Sequence, residues 1–265
     1  MMIEAYRGAW VVTFLEVLRF VRDRSRLISS LAFPLLFLSI FGAGFKNMVG
    51  PMGEGVDLIG FMYPGIIAMS AQMTALVAGI SVVQDREAGF LREMLVAPLS
   101  RTGIVMGKAL GVAGIAVLQV LMLVGLAPVV GVGIDASMVL RLMPLVVLLS
   151  LGLSGLGILI ASFMRSQQGF QMLINVLVFP MFFLAGVFFP VDSVPLWMEI
   201  LSKINPVTYG VDAIRQIFLG SAPAEAGLGV TVLGHTMTVA EDVAIVGALA
   251  IIFVSSAAWA FGRQE

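Results

Sequence analysis

The strongest constraint on this chain is a set of apolar runs about as long as a bilayer is thick. A helix crosses the hydrocarbon in about 20 residues, because every backbone N–H and C=O there must find its partner within its own segment. Six stretches qualify: residues 27–45, 58–83, 104–130, 142–164, 169–189 and 243–261. The whole chain is 60% hydrophobic and only 12% charged, with mean hydropathy +1.06, which excludes an ordinary water-soluble domain. Pro34, Pro64, Pro128, Pro144 and Pro180 fall within these runs, as membrane helices tolerate. No run alternates strictly with period two, which points away from an outer-membrane barrel. The expected fold is an all-α integral membrane protein with six transmembrane helices.

Lys and Arg resist translocation and so orient such a chain. With the N-terminus inside, Arg7, Arg19, Arg22, Arg24, Arg26, Arg86, Arg92, Arg101, Lys108, Arg165 and Arg263 are cytoplasmic. Only Lys46, Arg141, Lys203 and Arg215 fall outside. This split predicts a multi-pass protein of the cell (inner, cytoplasmic) membrane with both termini cytoplasmic. The net charge of −1 and the lack of a basic stripe point away from nucleic acid. Cysteine is absent, so neither disulfides nor thiol chemistry enters. Glu4, Arg7 and Glu16 interrupt the first apolar stretch, and the Arg cluster follows it, so a cleavable signal peptide is not expected.

Residues 1–26 read as a cytoplasmic amphipathic helix, followed by a transmembrane domain over 27–265. Ile3, Tyr6, Trp10, Phe14, Val17 and Val21 recur every three or four positions and form one stripe, with Glu16, Arg19, Arg22 and Asp23 projecting away from its centre. Such a helix is expected to lie in the interface plane on membrane lipid.

A second, shorter amphipathic stretch spans residues 85–96 and is stopped by Pro98. Ala88, Phe90, Leu91, Met94 and Leu95 share one arc, and Asp85, Arg86, Arg92 and Glu93 the other. Glu87 projects into the apolar arc near the helix start, where a carboxylate suits the dipole but is costly to bury unpaired. It either faces water there or meets a donor-bearing groove on a soluble partner.

The run Glu87-Ala88-Gly89-Phe90-Leu91-Arg92-Glu93-Met94-Leu95-Val96-Ala97-Pro98-Leu99-Ser100-Arg101, followed by Gly107-Lys108, resembles the loop after the second span of ABC-2-type transporter permeases, which typically reads Glu-x-Gly-Thr-x-x-x-Leu-x-x-x-Pro and then Gly-Lys. Phe90 stands where Thr is usual. Downstream, Asn205-Pro206-Val207-Thr208-Tyr209-Gly210-Val211-Asp212-Ala213-Ile214-Arg215 resembles the family's Asn-Pro-x-Thr-Tyr-x-x-x-x-x-Arg element before the last span. The resemblance covers essentially the whole chain.

It implies a transport subunit driven by a separate ABC ATPase (nucleotide-binding) subunit. Residues Glu87, Gly89, Phe90, Leu91, Glu93, Met94, Leu95 and Pro98 would form the cytoplasmic coupling helix seated on that ATPase. ATP and Mg would be bound by the partner, with no cofactor or metal on this chain. The residues agree: Gly107-Lys108 has no glycine five positions before Gly107, so it is not a phosphate loop of the Walker A type. The resemblance further implies external re-entrant helices before the last span, carrying Asn205, Pro206, Tyr209 and Arg215, and a second permease subunit as homodimer or heterodimer.

Between Pro190 and Asp242, Trp197, Met198, Ile200 and Leu201 form an apolar cluster on this external segment, and residues 229–239 read as short β-structure. His235 is the only histidine, which leaves a metal or acid–base site without companions. The six runs carry no charge apart from Lys108, which argues against an ion-coupled transporter and against an embedded protease. Gln72, Thr74, Gln119, Ser150, Ser154, Gln171 and Asn175 are polar and neutral; Gln72 and Asn175 are the residues expected to line a translocation path. Gly107, Gly111, Gly152, Gly155 and Gly157 permit close helix packing. Neutral walls rich in Phe and Met suit a hydrophobic or amphipathic cargo such as a drug, antibiotic or lipid. A lipid-linked polysaccharide is the competing cargo, and a non-transport membrane scaffold or sensor the competing class.

Overall fold

The computed structural model describes residues 2–45, 58–88, 101–220, 227–232 and 234–262, and the apolar runs within them are helical over most of their length. Helix α1 (Met2–Arg22) is separated from α2 (Arg24–Phe45) by Asp23 alone. Helices α3 (Leu58–Leu76) and α4 (Ala78–Glu87) form one long rod interrupted at Val77, whose carbonyl accepts from the Ile80 amide at 2.9 Å in a tightened turn. Helix α5 (Arg101–Leu126) runs into a 3-10 turn, Ala127–Val130, and stops at Gly131, whose φ of 81° suits glycine. Helices α6 (Ala136–Phe163) and α7 (Gln167–Phe183) follow, then α8 (Leu196–Ile204), α9 (Pro206–Leu219) and α10 (Val239–Gly262).

Among the described residues the sheet content is one short antiparallel hairpin, β1 (Thr231–Val232) with β2 (His235–Thr236), Thr231 facing Thr236 across a turn at Gly234. It falls within the stretch that reads as short β-structure.

Among the described residues four helices are long and apolar enough to cross a membrane: Leu58–Glu87, Gly103–Val130, Ala136–Phe163 and Val239–Phe261. Leu27–Ile40 is a shorter apolar helix. The expected fifth run, 169–189, is cut short. Helix α7 has 17 residues, about 25 Å of rise, because the chain leaves helical geometry after Phe183 and turns at Gly186, with φ 75°. The observed class is therefore an all-α membrane protein in which four spans are formed by length and composition.

Helix α6 is the hub. Lipid tails are as apolar as leucine, so helices associate in a bilayer through close packing and polar contacts rather than expulsion of water. Its glycines supply the close packing: a methyl on Gly157 would lie 2.4 Å from the Leu76 carbonyl of α3, and one on Gly155 2.8 Å from Val254 of α10. Across from Gly157, a methyl on Gly79 of α4 would meet the Gly157 carbonyl at 2.3 Å. The rod therefore touches α6 backbone to backbone at its Val77 interruption.

Helix α1 packs along the first half of α5. Thr13 donates its hydroxyl to the Gly107 carbonyl at 3.1 Å, Glu16 lies against Gly111, and Val17 against Gly114. The contacts advance along both helices together, so the two run in the same sense. Val12 and Phe20 are buried in this seam, whereas Trp10, Val11, Phe14 and Leu15 stay exposed. This corrects the expected side of Glu16, which faces the protein because the glycines of α5 leave room for it. The exposed apolar stripe remains available to lipid.

Candidate functional site

The helices that flank the segment with the strongest family resemblance are tied to their neighbours by polar contacts. Gly89, Phe90, Leu91, Glu93, Met94, Leu95 and Pro98 lie outside the described residues. The helix that leads into them, α4, ends in Asp85, Arg86 and Glu87, and each engages a different element.

Arg86 turns back onto the C-terminal end of α6, donating to the carbonyls of Ala161 at 3.4 Å, Ser162 at 3.3 Å and Met164. The Ala161 carbonyl also accepts the Met164 amide at 3.1 Å, and the guanidinium adds to this closing turn and complements the negative end of the helix dipole. Glu87, one residue on, accepts the Gln167 amide at the first turn of α7 through Oε1, at 2.9 Å. A carboxylate complements the positive end of that helix, where Ser166 also caps Gly169 at 3.2 Å. The short α6–α7 connection is thus gripped on one side by a cation and on the other by an anion, from consecutive residues. Glu87 is exposed but engaged with this chain's own backbone, an intramolecular role that the helical projection of residues 85–96 did not reveal.

Asp85 meets the helix on the far side of the segment. Lys108 of α5 is buried and places Nζ 2.7 Å from Asp85 Oδ2, 3.0 Å from Ser81 Oγ and 3.7 Å from Glu16 Oε1. One ammonium therefore joins α1, α4 and α5. Lys108 was legible as the single charge within the apolar runs; its two carboxylate partners were not, since each lies beyond the run to which it is attached.

The second family-like element sits at the opposite end of the rods. Helix α8 is amphipathic and leaves Leu196, Trp197, Ile200, Leu201 and Ile204 exposed. Helix α9 is its opposite, buried from Val207 to Arg215 against α3, α6 and α10. Asn205 makes the turn between them. Its Oδ1 accepts the Val207 amide at 3.1 Å, its Nδ2 donates to the Met181 carbonyl at 2.6 Å, and Pro206 occupies the first helical turn, where a missing N–H costs nothing. Thr208 donates to the Ser202 carbonyl at 2.6 Å and Tyr209 to that of Lys203 at 2.7 Å, so the two hydroxyls tie α9 back to the end of α8. Arg215 is buried, donates through Nη2 to the Gly186 carbonyl at 2.5 Å and lies 3.9 Å above the Phe61 ring. The predicted Asn205, Pro206, Tyr209 and Arg215 are thereby gathered into one structural corner.

The same corner holds acids that the sequence reading missed. Asp212 and Asp242 are both fully buried. Gln216 Nε2 reaches Asp212 Oδ2 at 2.9 Å, Asp242 Oδ2 at 3.2 Å and the Met237 carbonyl at 3.1 Å, while the Val230 amide reaches Asp212 Oδ2 at 3.3 Å. Burial holds the Asp212 carboxyl above the usual carboxylate range. A start at residue 243 for the last run left Asp242 in a loop. The signal to the contrary was the box Thr238-Val239-Ala240-Glu241: Glu241 accepts the Thr238 amide at 2.8 Å, and helix α10 begins at Val239, with Asp242 in its first turn.

The two path candidates separate. Gln72 is buried between helices, with Nε2 3.4 Å from the Val178 carbonyl of α7. Asn175 is exposed on α7, where Gln171 Nε2 donates to its Oδ1 at 3.0 Å. A cavity of about 210 Å³ opens between α2, α3 and α5, with Ser29, Ser30, Ser70, Thr74 and Gln119 among its lining and Thr74 bonded to Gln119. Polar lining in an apolar wall thus sits beside Gln72 in sequence but on another face of α3.

Comparison with known proteins bears on these geometries. The sequence model of the ABC-2 type transporter family matches residues 8–219. The chain is 30% identical over 200 residues to the putative transport permease ycf38 of Cyanophora paradoxa, covering 74% of this chain and 69% of that protein. It is 33% identical over 187 residues to the probable multidrug ABC transporter permease YbhR of Escherichia coli K12, covering 67% of this chain but only 48% of the relative. It is 30% identical over 217 residues to nodulation protein J of Rhizobium leguminosarum bv. viciae, covering 78% and 80%.

Proposed function

The chain belongs to the ABC-2 type transporter family and is a multi-pass membrane protein, and on that premise we propose that it is the transmembrane permease subunit of an ATP-binding cassette exporter. ATP is hydrolysed on a separate ATPase subunit, which also holds the Mg ion. Two permease subunits, identical or homologous, sit on two ATPase subunits, with both termini and the 89–100 segment on the cytoplasmic side. The first and fifth runs, including the short α2 and α7, complete six membrane passes.

The observation that carries this reading is the frame around residues 89–100. Asp85, Arg86 and Glu87 before that segment, and Lys108 on the helix after it, join the flanking helices α4 and α5 to each other, to α1 and to both sides of the α6–α7 turn. A force applied to a free surface loop is dissipated in the loop. Applied to a segment braced in this way, it moves several helices together. Residues Glu87 and Asp85 then act within the permease, bracing a contact surface made by Phe90, Leu91, Met94 and Leu95.

The cargo of this reading is hydrophobic or amphipathic. The described cavity has apolar walls with a few hydroxyl and amide groups and no charged lining residue. The relative named as a multidrug transporter permease supports that class.

The test is reconstitution with the ATPase encoded nearest to this chain. The expected result is a stable complex in which ATP hydrolysis drives an amphipathic dye out of the cytoplasmic-side compartment. A complex that hydrolyses ATP but moves only a lipid-linked sugar would shift the cargo to the polysaccharide class. Failure of every ATPase to assemble would favour a membrane scaffold or sensor.

A further inference from the structure

The buried acids Asp212 and Asp242 are unused by the transport reading, and their surroundings do not balance. The corner contains one buried guanidinium, that of Arg215, and two buried carboxyls. The two carboxyl groups share one donor, Gln216 Nε2, which reaches Asp212 Oδ2 at 2.9 Å and Asp242 Oδ2 at 3.2 Å, so they lie side by side. Ionised carboxylates only accept hydrogen bonds, so two of them cannot bond to one another. Asp212 Oδ1 and Asp242 Oδ1 are also each buried with no partner among the described residues. Gln216 does not resolve this. Its amide nitrogen has two hydrogens, and it faces three acceptors, Asp212 Oδ2, Asp242 Oδ2 and the Met237 carbonyl. Among the described residues, Gln216 is one hydrogen short for its three acceptors, and two ionised carboxyls would carry one more charge than Arg215 balances.

A single proton supplies both deficits. The geometry points to Asp212 and Asp242 as a proton-binding site, a carboxyl–carboxylate pair that holds one proton and fastens the buried helix α9 to the start of α10. With the proton bound, one carboxyl donates to the other, and the remaining negative charge is balanced by Arg215. Without it, two carboxylates repel each other in a site with little water, and the α9–α10 joint loosens.

The surrounding charges are consistent with one proton rather than none or two. From α9, Arg215 and Tyr209 face the site; from α10, Glu241 adds a second negative charge near Asp242. Glu241 is itself held by His235 at 3.1 Å from the hairpin. From α6, Arg141 lines, with Gln216, a groove between α6, α9 and α10. The turn at Asp192 and Lys203 of α8 close on each other at 2.9 Å, and Asp192 Oδ2 is occupied by Thr231. On α3 the neighbour is Phe61, which is neutral.

Because the folded chain binds this proton more tightly than the unfolded chain does, its contribution to stability is complete at acid pH. It declines as pH rises through the titration of the pair. The proposal is independent of the cargo and of any ATPase.

The experiment is infrared spectroscopy of the purified full-length chain in lipid nanodiscs, titrated with base, with backbone hydrogen exchange followed in parallel. The expected result is a protonated-carboxyl C=O band at neutral pH, shifted by deuteration and lost at alkaline pH. In both Asp212→Asn and Asp242→Asn it should be weaker at neutral pH and lost at lower pH than in the parent, because each variant removes the neighbouring carboxyl whose charge disfavours ionisation of the one left. Exchange in residues 206–219 and 239–246 should rise at the same midpoint as the band is lost. A wild-type spectrum without the band at neutral pH, or a band unchanged in both variants, overturns the proton site. Exchange that stays flat while the band disappears overturns the joint. If either variant fails to fold, the wild-type coincidence of band loss and exchange still decides the question.

Discussion

Lys108 Nζ lies 2.7 Å from Asp85 Oδ2, although 23 residues separate the two and the whole 89–100 segment intervenes between their helices. The pair joins α4 to α5, the helices before and after that segment. Its cation is only 3% exposed, and Asp85 is 21% exposed, so the contact is shielded on one side and wet on the other.

Replacing Lys108 with Met should lower stability by about 3 kcal/mol, the lower end for breaking a buried pair, because Asp85 keeps some access to water. Glu16 loses its cation as well. Asp85→Leu combined with Lys108→Met should recover part of the loss, since neither charge is then left alone. Thermal unfolding of the detergent-solubilised chain measures both. A Lys108→Met protein as stable as the parent would show that the pair does not hold α4 to α5.

Gly157 makes its prediction through space rather than charge. A methyl there would lie 2.4 Å from the Leu76 carbonyl, which belongs to backbone and cannot rotate away. Gly157→Ala should cost about 1–3 kcal/mol through overpacking. Gly125, whose added methyl meets nothing within 4 Å, is the control; Gly125→Ala should be neutral or stabilising, given alanine's higher helix propensity. Comparative melting of the two variants reads the difference.

How far these relations were readable in the chain varies with their range. Helical rods follow from run length alone, and glycine spacing marked Gly111, Gly152, Gly155 and Gly157, all of which prove to be contact points. What composition could not show is where a run ceases to be a span. Helix α7 stops early because the turn at Gly186 is fixed by Arg215, 29 residues away. Asn205, Tyr209 and Arg215 were visible through their resemblance to a family element, yet their partners are backbone carbonyls, which leave no trace in residue identity. Asp212 and Asp242 form a site only because two helices 20 residues apart are brought side by side, and nothing local to either marks the other.

Arg215 tests the corner from the side of its charge. Arg215→Lys should cost about 1–3 kcal/mol, since an ammonium cannot both reach the Gly186 carbonyl and lie flat over Phe61. Arg215→Met removes the balancing cation, so an ionised carboxyl nearby becomes less favourable, and the protonated-carboxyl band should persist to higher pH than in the parent. A band that disappears at the parent's pH would mean that the guanidinium does not act on the acids.

The last prediction concerns Arg86 and Glu87, which grip the α6–α7 turn from two sides. If Glu87 braces the permease from within, its acceptor matters more than its charge. Glu87→Gln keeps an acceptor for the Gln167 amide and should retain most coupling. Glu87→Lys puts a cation at the positive end of α7, removes the cap at a cost of about 1 kcal/mol and should lower transport. Arg92, assigned by projection to the opposite arc, should matter less, since exposed pairs contribute only about 0–1 kcal/mol. The decisive measurement is paired: hydrogen exchange at residues 167–170 reports the brace, and substrate-stimulated ATP hydrolysis by the assembled transporter reports coupling. Faster exchange in Glu87→Lys together with weaker stimulation supports the brace. Full stimulation despite faster exchange would show that the α6–α7 turn lies off the route by which the segment acts. Unchanged exchange with weaker stimulation would instead place Glu87 at the ATPase surface.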